Sequence, residues 1–137
     1  MSVESAYVQP KLRYAWLWWA IGYLLLAWTV NDSLESHPPD FGGLFASDKV
    51  LHFTGYFLLA TWFGGVTRRS RYWLVGVLLI AFSGALEIAQ GLMHNGREAE
   101  WLDLLANALG VTSALIVASL GLGKWLVWIE RLLGLQK

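Results

Sequence analysis

Residues 72–93 read YWLVGVLLIAFSGALEIAQGLM, an apolar stretch whose only charged side chain is that of Glu87. At about 1.5 Å per residue, a helix of this length reaches about 33 Å, enough to cross a hydrocarbon core of about 30 Å. A charged side chain near the centre of a bilayer costs roughly 3 kcal/mol on insertion scales, so it usually faces a partner or a cavity. The stretch therefore predicts a membrane-spanning helix whose carboxylate has a specific role.

Three further apolar stretches flank this one, at residues 14–30, 50–66 and 102–120. The first could be a secretory signal because Lys11 and Arg13 precede it, but no small-x-small cleavage pattern follows, so we expect an uncleaved anchor. The chain has 137 residues, of which 56% are hydrophobic and nine are Trp, more apolar surface than a soluble domain of this size covers. The sequence predicts an all-α fold, a single domain over residues 1–137 built as a four-transmembrane-helix bundle.

Charged residues divide the connections between these spans into two kinds. Eight of the ten Lys and Arg residues lie before the first span, between spans two and three, or after span four. The other two connections are acidic, with Lys49 and Arg97 as their cations. The positive-inside rule then places both termini in the cytoplasm and the acidic connections outside.

Composition excludes several classes of function. The chain has no cysteine, which excludes disulfides, thiolate metal sites and cysteine nucleophiles. A net charge of zero provides no electrostatic footprint for nucleic acid. There is no glycine-rich phosphate loop, nucleophile elbow or zinc-binding histidine pair at helical spacing. The sequence therefore predicts no cofactor, no bound metal and no nucleic-acid partner.

Small residues suggest how the helices meet. Span four has a small residue at every fourth position: Ala106, Gly110, Ala114 and Ala118. In span two the same spacing follows the polar residues, with Ala60 and Gly64. Such faces let helix backbones approach each other in lipid, although Ala and Gly are also common in spans generally. We expect Ala114→Glu to disrupt folding.

The residues after span four have a different pattern. Over residues 122–134, apolar side chains recur at helical spacing opposite Lys124 and Arg131; they are Leu122, Leu126, Ile129 and Leu133. This pattern predicts a short amphipathic helix lying on the inner membrane surface. On that basis Val127→Glu should be tolerated better than Ala114→Glu.

Polar residues converge on one end of the predicted bundle, because spans two and four begin outside and span three ends outside. Residues spaced by four lie on one helix face, as do Glu87 and Gln90 in span three. We predict that these side chains line one outward-facing polar pocket, with His52 and Glu87 as candidate catalytic residues. The candidate binding residues are Asp48, Lys49, His52, Tyr56, Glu87, Gln90, Arg97, Asp103 and Asn107.

Each candidate also has a simpler structural explanation. His52 can form an interhelical hydrogen bond, Asp48 can cap the start of span two, and Arg97 can anchor the chain at phosphate headgroups. A metal site formed by His52, Glu87 and Asp103 is conceivable, but its spacing matches no known ligand signature.

The order of these polar residues resembles a known family. Asp48-Lys49-x-x-His52-Phe53-x-x-Tyr56 is followed by Glu87-x-x-Gln90, then by Arg97 and Trp101-x-Asp103-x-x-Ala106-Asn107-x-x-Gly110. This ordered set, within residues 47–117, is similar to the VanZ-like family of bacterial membrane proteins. The resemblance implies a multi-pass protein of the bacterial cytoplasmic membrane, with a role in envelope homeostasis or in resistance to glycopeptides of the teicoplanin type.

Two classes of function fit these residues. The first is a non-enzymatic protein that binds an anionic envelope lipid or a lipid-linked cell-wall precursor. Lys49 and Arg97 would hold its phosphate groups, and the same two cations would neutralise Asp48 and Asp103. The second is an intramembrane enzyme that acts on a lipid headgroup or a prenyl-phosphate carrier, with His52 and Glu87 as an acid–base pair. A proton-coupled transporter ranks third, because four spans without repeats would need a homodimer for alternating access.

Overall fold

The computed structural model describes residues 7–34, 48–93 and 100–136. Its α-helices are α1 (Ala15–Leu34), α2 (Asp48–Val66), α3 (Tyr72–Met93), α4 (Trp101–Ser119) and α5 (Trp125–Leu132). Short 3-10 turns precede α3 and α5. Over these described ranges the only β pairing is an isolated bridge between Val8 and Thr67, so the predicted all-α fold is confirmed.

Helices α1 to α4 occupy the four predicted apolar stretches, with one clear difference in length. Helix α1 continues to Leu34, past the expected end at Val30, because Asn31-Asp32-Ser33 contains no helix breaker and Gln90 of α3 donates a hydrogen bond to the Ser33 carbonyl oxygen at 2.6 Å. Within the described ranges, Arg69–Met93 and Trp101–Ser119 are the segments long and apolar enough to cross a membrane. The two acidic connections, at residues 35–47 and 94–99, lie outside the described residues.

The closest packing in the bundle is between α2 and α4. The small residues of α4 predicted to form an interface are buried: Ala106, Gly110, Ala114 and Ala118. On α2, Gly64 faces Ala118, whose Cβ would lie 3.5 Å from a Cβ added at that glycine. The prediction that these small residues form a helix–helix contact is confirmed. It brings the starts of α2 and α4 side by side.

Helix α5 packs on the protein, with a buried face different from the predicted one. Leu126 and Val127 are 0% and 2% exposed and lie in a cluster with Leu12 and Val66, whereas Leu122 is 54% exposed. The helix is shorter than the predicted 122–134, because Leu122 lies in a 3-10 turn (Leu122–Lys124) and the α-helix runs from Trp125 to Leu132. The burial of Val127 removes the reason for expecting Val127→Glu to be tolerated better than Ala114→Glu.

A buried carboxylate holds the two ends of the chain together. The Glu130 side chain of α5 accepts hydrogen bonds from the Arg13 amide (2.8 Å), the Tyr14 amide (2.9 Å), the Trp18 indole (2.8 Å) and the Gln136 amide group (3.0 Å). Burial alone would raise the pKa of Glu130, but these hydrogen bonds outweigh burial and hold the pKa below its ordinary value. The sequence pattern of this segment, with Lys124 and Arg131 opposite the apolar side chains, did not indicate this contact of Glu130.

Candidate functional site

Polar residues from α2, α3 and α4 meet at one end of the bundle. We call them the polar cluster: Asp48, Lys49, His52, Ser83, Glu100, Asp103 and Asn107. The cluster forms because α2 and α4 both begin at this end and pack closely, while α3 brings Ser83 from the other side. The helix directions predicted that the starts of α2 and α4 lie at the same end of the bundle, and the structure shows their polar side chains in contact there.

Lys49 lies at the centre of the acidic part of the cluster. Its ammonium group contacts Glu100 Oε2 at 2.6 Å, Asp48 Oδ2 at 3.5 Å and, most closely, Asp103 Oδ1. Asp48 and Asp103 were predicted to pair with Lys49 and Arg97, and the Lys49 part of this prediction is confirmed. Arg97, the second predicted cation, lies outside the described residues. Glu100 was not among the predicted site residues, although its position just before the first turn of α4 was an available signal.

His52 is held in a defined orientation between α2 and α4. Its Nδ1 atom is 3.1 Å from Asn107 Oδ1, and its Nε2 atom is 3.7 Å from Asp48 Oδ2 and 3.6 Å from Asp103 Oδ2. Because the Asn107 amide nitrogen donates to Ser83 Oγ at 2.7 Å, the Asn107 oxygen is the acceptor for His52. The proton of a neutral His52 is therefore on Nδ1, and the Nε2 lone pair faces the two carboxylates.

Asn107 and Ser83 extend the cluster into the bundle interior. Asn107 is 1% exposed and Ser83 is fully buried, so their hydrogen bond is shielded from water. The Tyr56 hydroxyl is within hydrogen-bonding reach of Ser83 and close enough to Glu87 to sense its charge. Ser83 was missed in the sequence, where its spacing of four residues from Glu87 was the signal that could have identified it.

Two predicted site residues on α3 have different roles. Glu87 is buried, and its Oε2 atom accepts a hydrogen bond from the Glu100 amide at 3.3 Å, so it supports the start of α4. Gln90 donates to the Ser33 carbonyl of α1, so it joins α3 to α1. Gln90 therefore makes a contact between helices and does not join the polar cluster.

One group of side chains in the described residues is arranged as metal ligands. Asp48, His52 and Asp103 each offer a ligand atom, and these atoms lie within 4.8 Å of one another. The set differs from the combination considered in the sequence, because Asp48 takes the place of Glu87. Two carboxylates and one imidazole are a ligand set compatible with zinc or manganese.

Replacing Asn107 with leucine should destabilise the protein by about 1–3 kcal/mol, because it leaves His52 and Ser83 without their buried partner. The measurement is the unfolding temperature of the purified protein in detergent. Asn31→Leu makes the same change at an exposed position of α1 and should have little effect. Similar unfolding temperatures for both variants would contradict the role of Asn107.

Comparison with protein-family models, with curated proteins and with solved structures gives no match for this chain.

Proposed function

We propose that the chain is a four-span protein of the bacterial cytoplasmic membrane, of the VanZ-like type, with both termini inside and the polar cluster facing outward. The pattern of exposed side chains supports this. Large apolar residues such as Trp28, Leu24 and Ile88 are 74%, 69% and 65% exposed, and in α1 only Ala15 and Gly22 are buried. Helices with so much exposed apolar surface are stable in lipid and would aggregate in water.

Single-cysteine labelling tests this topology directly, since the chain has no native cysteine. A membrane-impermeant thiol reagent added to intact cells should label Glu98→Cys on the predicted outer connection. Arg69→Cys, between α2 and α3, should react only after the membrane is permeabilised. Labelling of Arg69→Cys in intact cells would contradict the orientation.

The function that the geometry supports best is binding of a phosphate-bearing envelope lipid or lipid-linked cell-wall precursor at the polar cluster. The observation that carries this proposal is the cluster itself, in which three helices place charged groups at the surface and hydrogen-bonding groups in the interior. Asp103 and Asn107 are nearly inaccessible, whereas Lys49 and Asp48 are partly exposed. A headgroup can meet the exposed charges while hydroxyls or sugars contact the deeper polar atoms.

An apolar cavity of about 270 Å³ lies between α1, α2 and α3 and suits the chain of such a lipid. Its α3 residues include Leu79 and Phe82, which lie four residues and one residue before Ser83 of the polar cluster. Tyr23 and Leu78 line the same cavity and are largely exposed, so it opens toward the surroundings of the bundle. A lipid with its headgroup at the cluster has room here for part of its hydrocarbon.

Binding of a matched ligand pair tests the proposal. A prenyl phosphate should bind to the protein in nanodiscs at least about ten-fold more tightly than the corresponding prenyl alcohol, a difference of about 1.4 kcal/mol. Lys49→Met should reduce this preference, whereas Lys124→Met, which removes an exposed cation beyond α4, should not. Equal affinity for phosphate and alcohol would contradict the proposal.

The orientation of His52 favours an intramembrane acid–base enzyme as a second candidate function. Asn107 fixes one imidazole nitrogen, which leaves Nε2 facing the charged end of the cluster, as in bases whose ring is positioned by a second residue. Glu87→Gln distinguishes the two candidates, because it preserves shape and removes proton transfer. A binding protein should retain lipid affinity in this variant, whereas an enzyme that uses Glu87 should lose turnover.

A further inference from the structure

The geometry points to a divalent transition-metal site at Asp48, His52 and Asp103, with zinc as the metal that best fits the ligands. This inference concerns the same polar cluster, and it rests on the proposed function only for the placement of that cluster at the outer membrane surface. Metal binding itself follows from the side chains described below.

The distances around His52 fit a shared ion better than hydrogen bonds. Its Nε2 atom is 3.6 Å from Asp103 Oδ2 and 3.7 Å from Asp48 Oδ2, which is too long for N–H···O hydrogen bonds of about 2.7–3.2 Å. Ligands placed about 2.0–2.2 Å from a tetrahedral zinc ion lie about 3.3–3.6 Å from each other. The two separations from the His52 Nε2 atom are therefore close to those that a bound ion requires, and all three ligand atoms lie within 4.8 Å of one another.

The second nitrogen of His52 is arranged as in known metal sites. A metal-bound histidine usually donates its other N–H to an oxygen, which fixes the tautomer and the ring. Here Nδ1 faces Asn107 Oδ1 at 3.1 Å, and Asn107 is itself held by Ser83. This contact is independent of the acidic residues and leaves the Nε2 lone pair directed at them.

Asp103 supplies a buried ligand with one oxygen still available. Its side chain is 6% exposed, and Oδ1 contacts Lys49, whereas the contact of Oδ2 within the described part of the chain is the long one to His52. Lys49 can keep its contacts with Asp103 Oδ1 and Glu100 while Oδ2 binds an ion. Lys49 would then orient the ligating carboxylate from outside the metal shell.

The charge of the cluster also favours a dication. Among the described residues of the cluster, the carboxylates of Asp48, Glu100 and Asp103 face a single ammonium group, that of Lys49. Among these residues the carboxylates outnumber the ammonium group by two. A divalent ion removes this excess, and three protein ligands leave a fourth position open to a phosphate oxygen.

Zinc titration of the purified, chelator-treated full chain tests the site. Isothermal calorimetry should show one zinc ion per chain in the absence of any lipid. Asp48→Asn is the main variant, because Asp48 is half-exposed and its replacement should leave the fold intact; zinc affinity should fall at least about ten-fold. Asp32→Asn makes the same change at an exposed position of α1 and should bind like the wild type.

His52→Ala should abolish zinc binding, and its unfolding temperature without metal shows whether the variant is folded. A cobalt-loaded wild-type protein should show the visible absorption of a tetrahedral site, and Asp48→Asn should change that spectrum. Absence of stoichiometric zinc in the wild type, unchanged affinity in Asp48→Asn, or zinc retained by folded His52→Ala would overturn the inference.

Prenyl-phosphate binding, measured with and without zinc, separates this inference from the proposed function. Phosphate-selective binding in a protein that takes up no zinc would overturn the metal site and leave the proposed function standing. Zinc uptake without phosphate-selective binding would support the metal site and overturn the proposed ligand.

Discussion

Replacing Gly110 with leucine should prevent the normal association of α2 and α4. A Cβ atom added at Gly110 would collide with the Phe53 carbonyl oxygen and lie 3.0 Å from the Phe57 amide nitrogen. Both are backbone atoms of α2, so no side-chain rotation relieves the contact and the helices must separate. We expect a loss of roughly 3 kcal/mol, the upper end of the usual range for overpacked sites, together with loss of the polar cluster.

The loss of stability is measured as a change in unfolding temperature in detergent. Size-exclusion chromatography of the same samples is the second measurement. Gly55→Ala is the matched control, because a Cβ there meets no atom within 4 Å and alanine favours the helix. It should be neutral or slightly stabilising. If Gly110→Leu unfolds at the wild-type temperature, the close approach of α2 and α4 is not required for the fold.

Replacing Glu130 with leucine should cost about 3–5 kcal/mol, as expected when one partner is removed from a buried charged network. The amides of Arg13 and Tyr14 and the indole of Trp18 would lose their acceptor in a partly buried contact. Glu130→Gln keeps the shape and one acceptor oxygen, so it should show a smaller loss than Glu130→Leu, although its amide nitrogen cannot accept from these donors. Lys124→Gln, at an exposed position before α5, should have little effect.

The stability contributed by Glu130 should depend on pH in one direction. Because its folded pKa is below the ordinary value of 4.5, the contribution is complete above about pH 4.5 and is lost as the pH falls through the folded pKa. Unfolding temperatures measured between pH 7 and pH 3 should therefore fall more steeply for the wild type than for Glu130→Gln. Parallel curves would show that the Glu130 carboxylate does not drive this acid sensitivity.

The sequence by itself determined the helices and the direction of their polar faces. The apolar stretches and the four-residue spacing of small residues identify α2, α3 and α4 because both are local consequences of helix geometry. Helix direction then placed Asp48 and Asp103 at the same end. For this reason the pairing of these carboxylates with nearby cations, Lys49 and Arg97, could be predicted without coordinates.

Only the tertiary structure decided which polar atoms meet and which face of α5 is buried. Ser83, Glu100 and Glu130 make contacts between segments that are distant in the sequence. No local sequence pattern specifies which atoms will lie within about 3 Å of each other after the helices pack. The orientation of His52 depends in the same way on Asn107, across the α2–α4 interface. The periodicity of a sequence indicates which side of a helix is apolar. The segment that covers that side depends on how the whole bundle packs. For this reason the burial of Val127 was not predicted from the sequence.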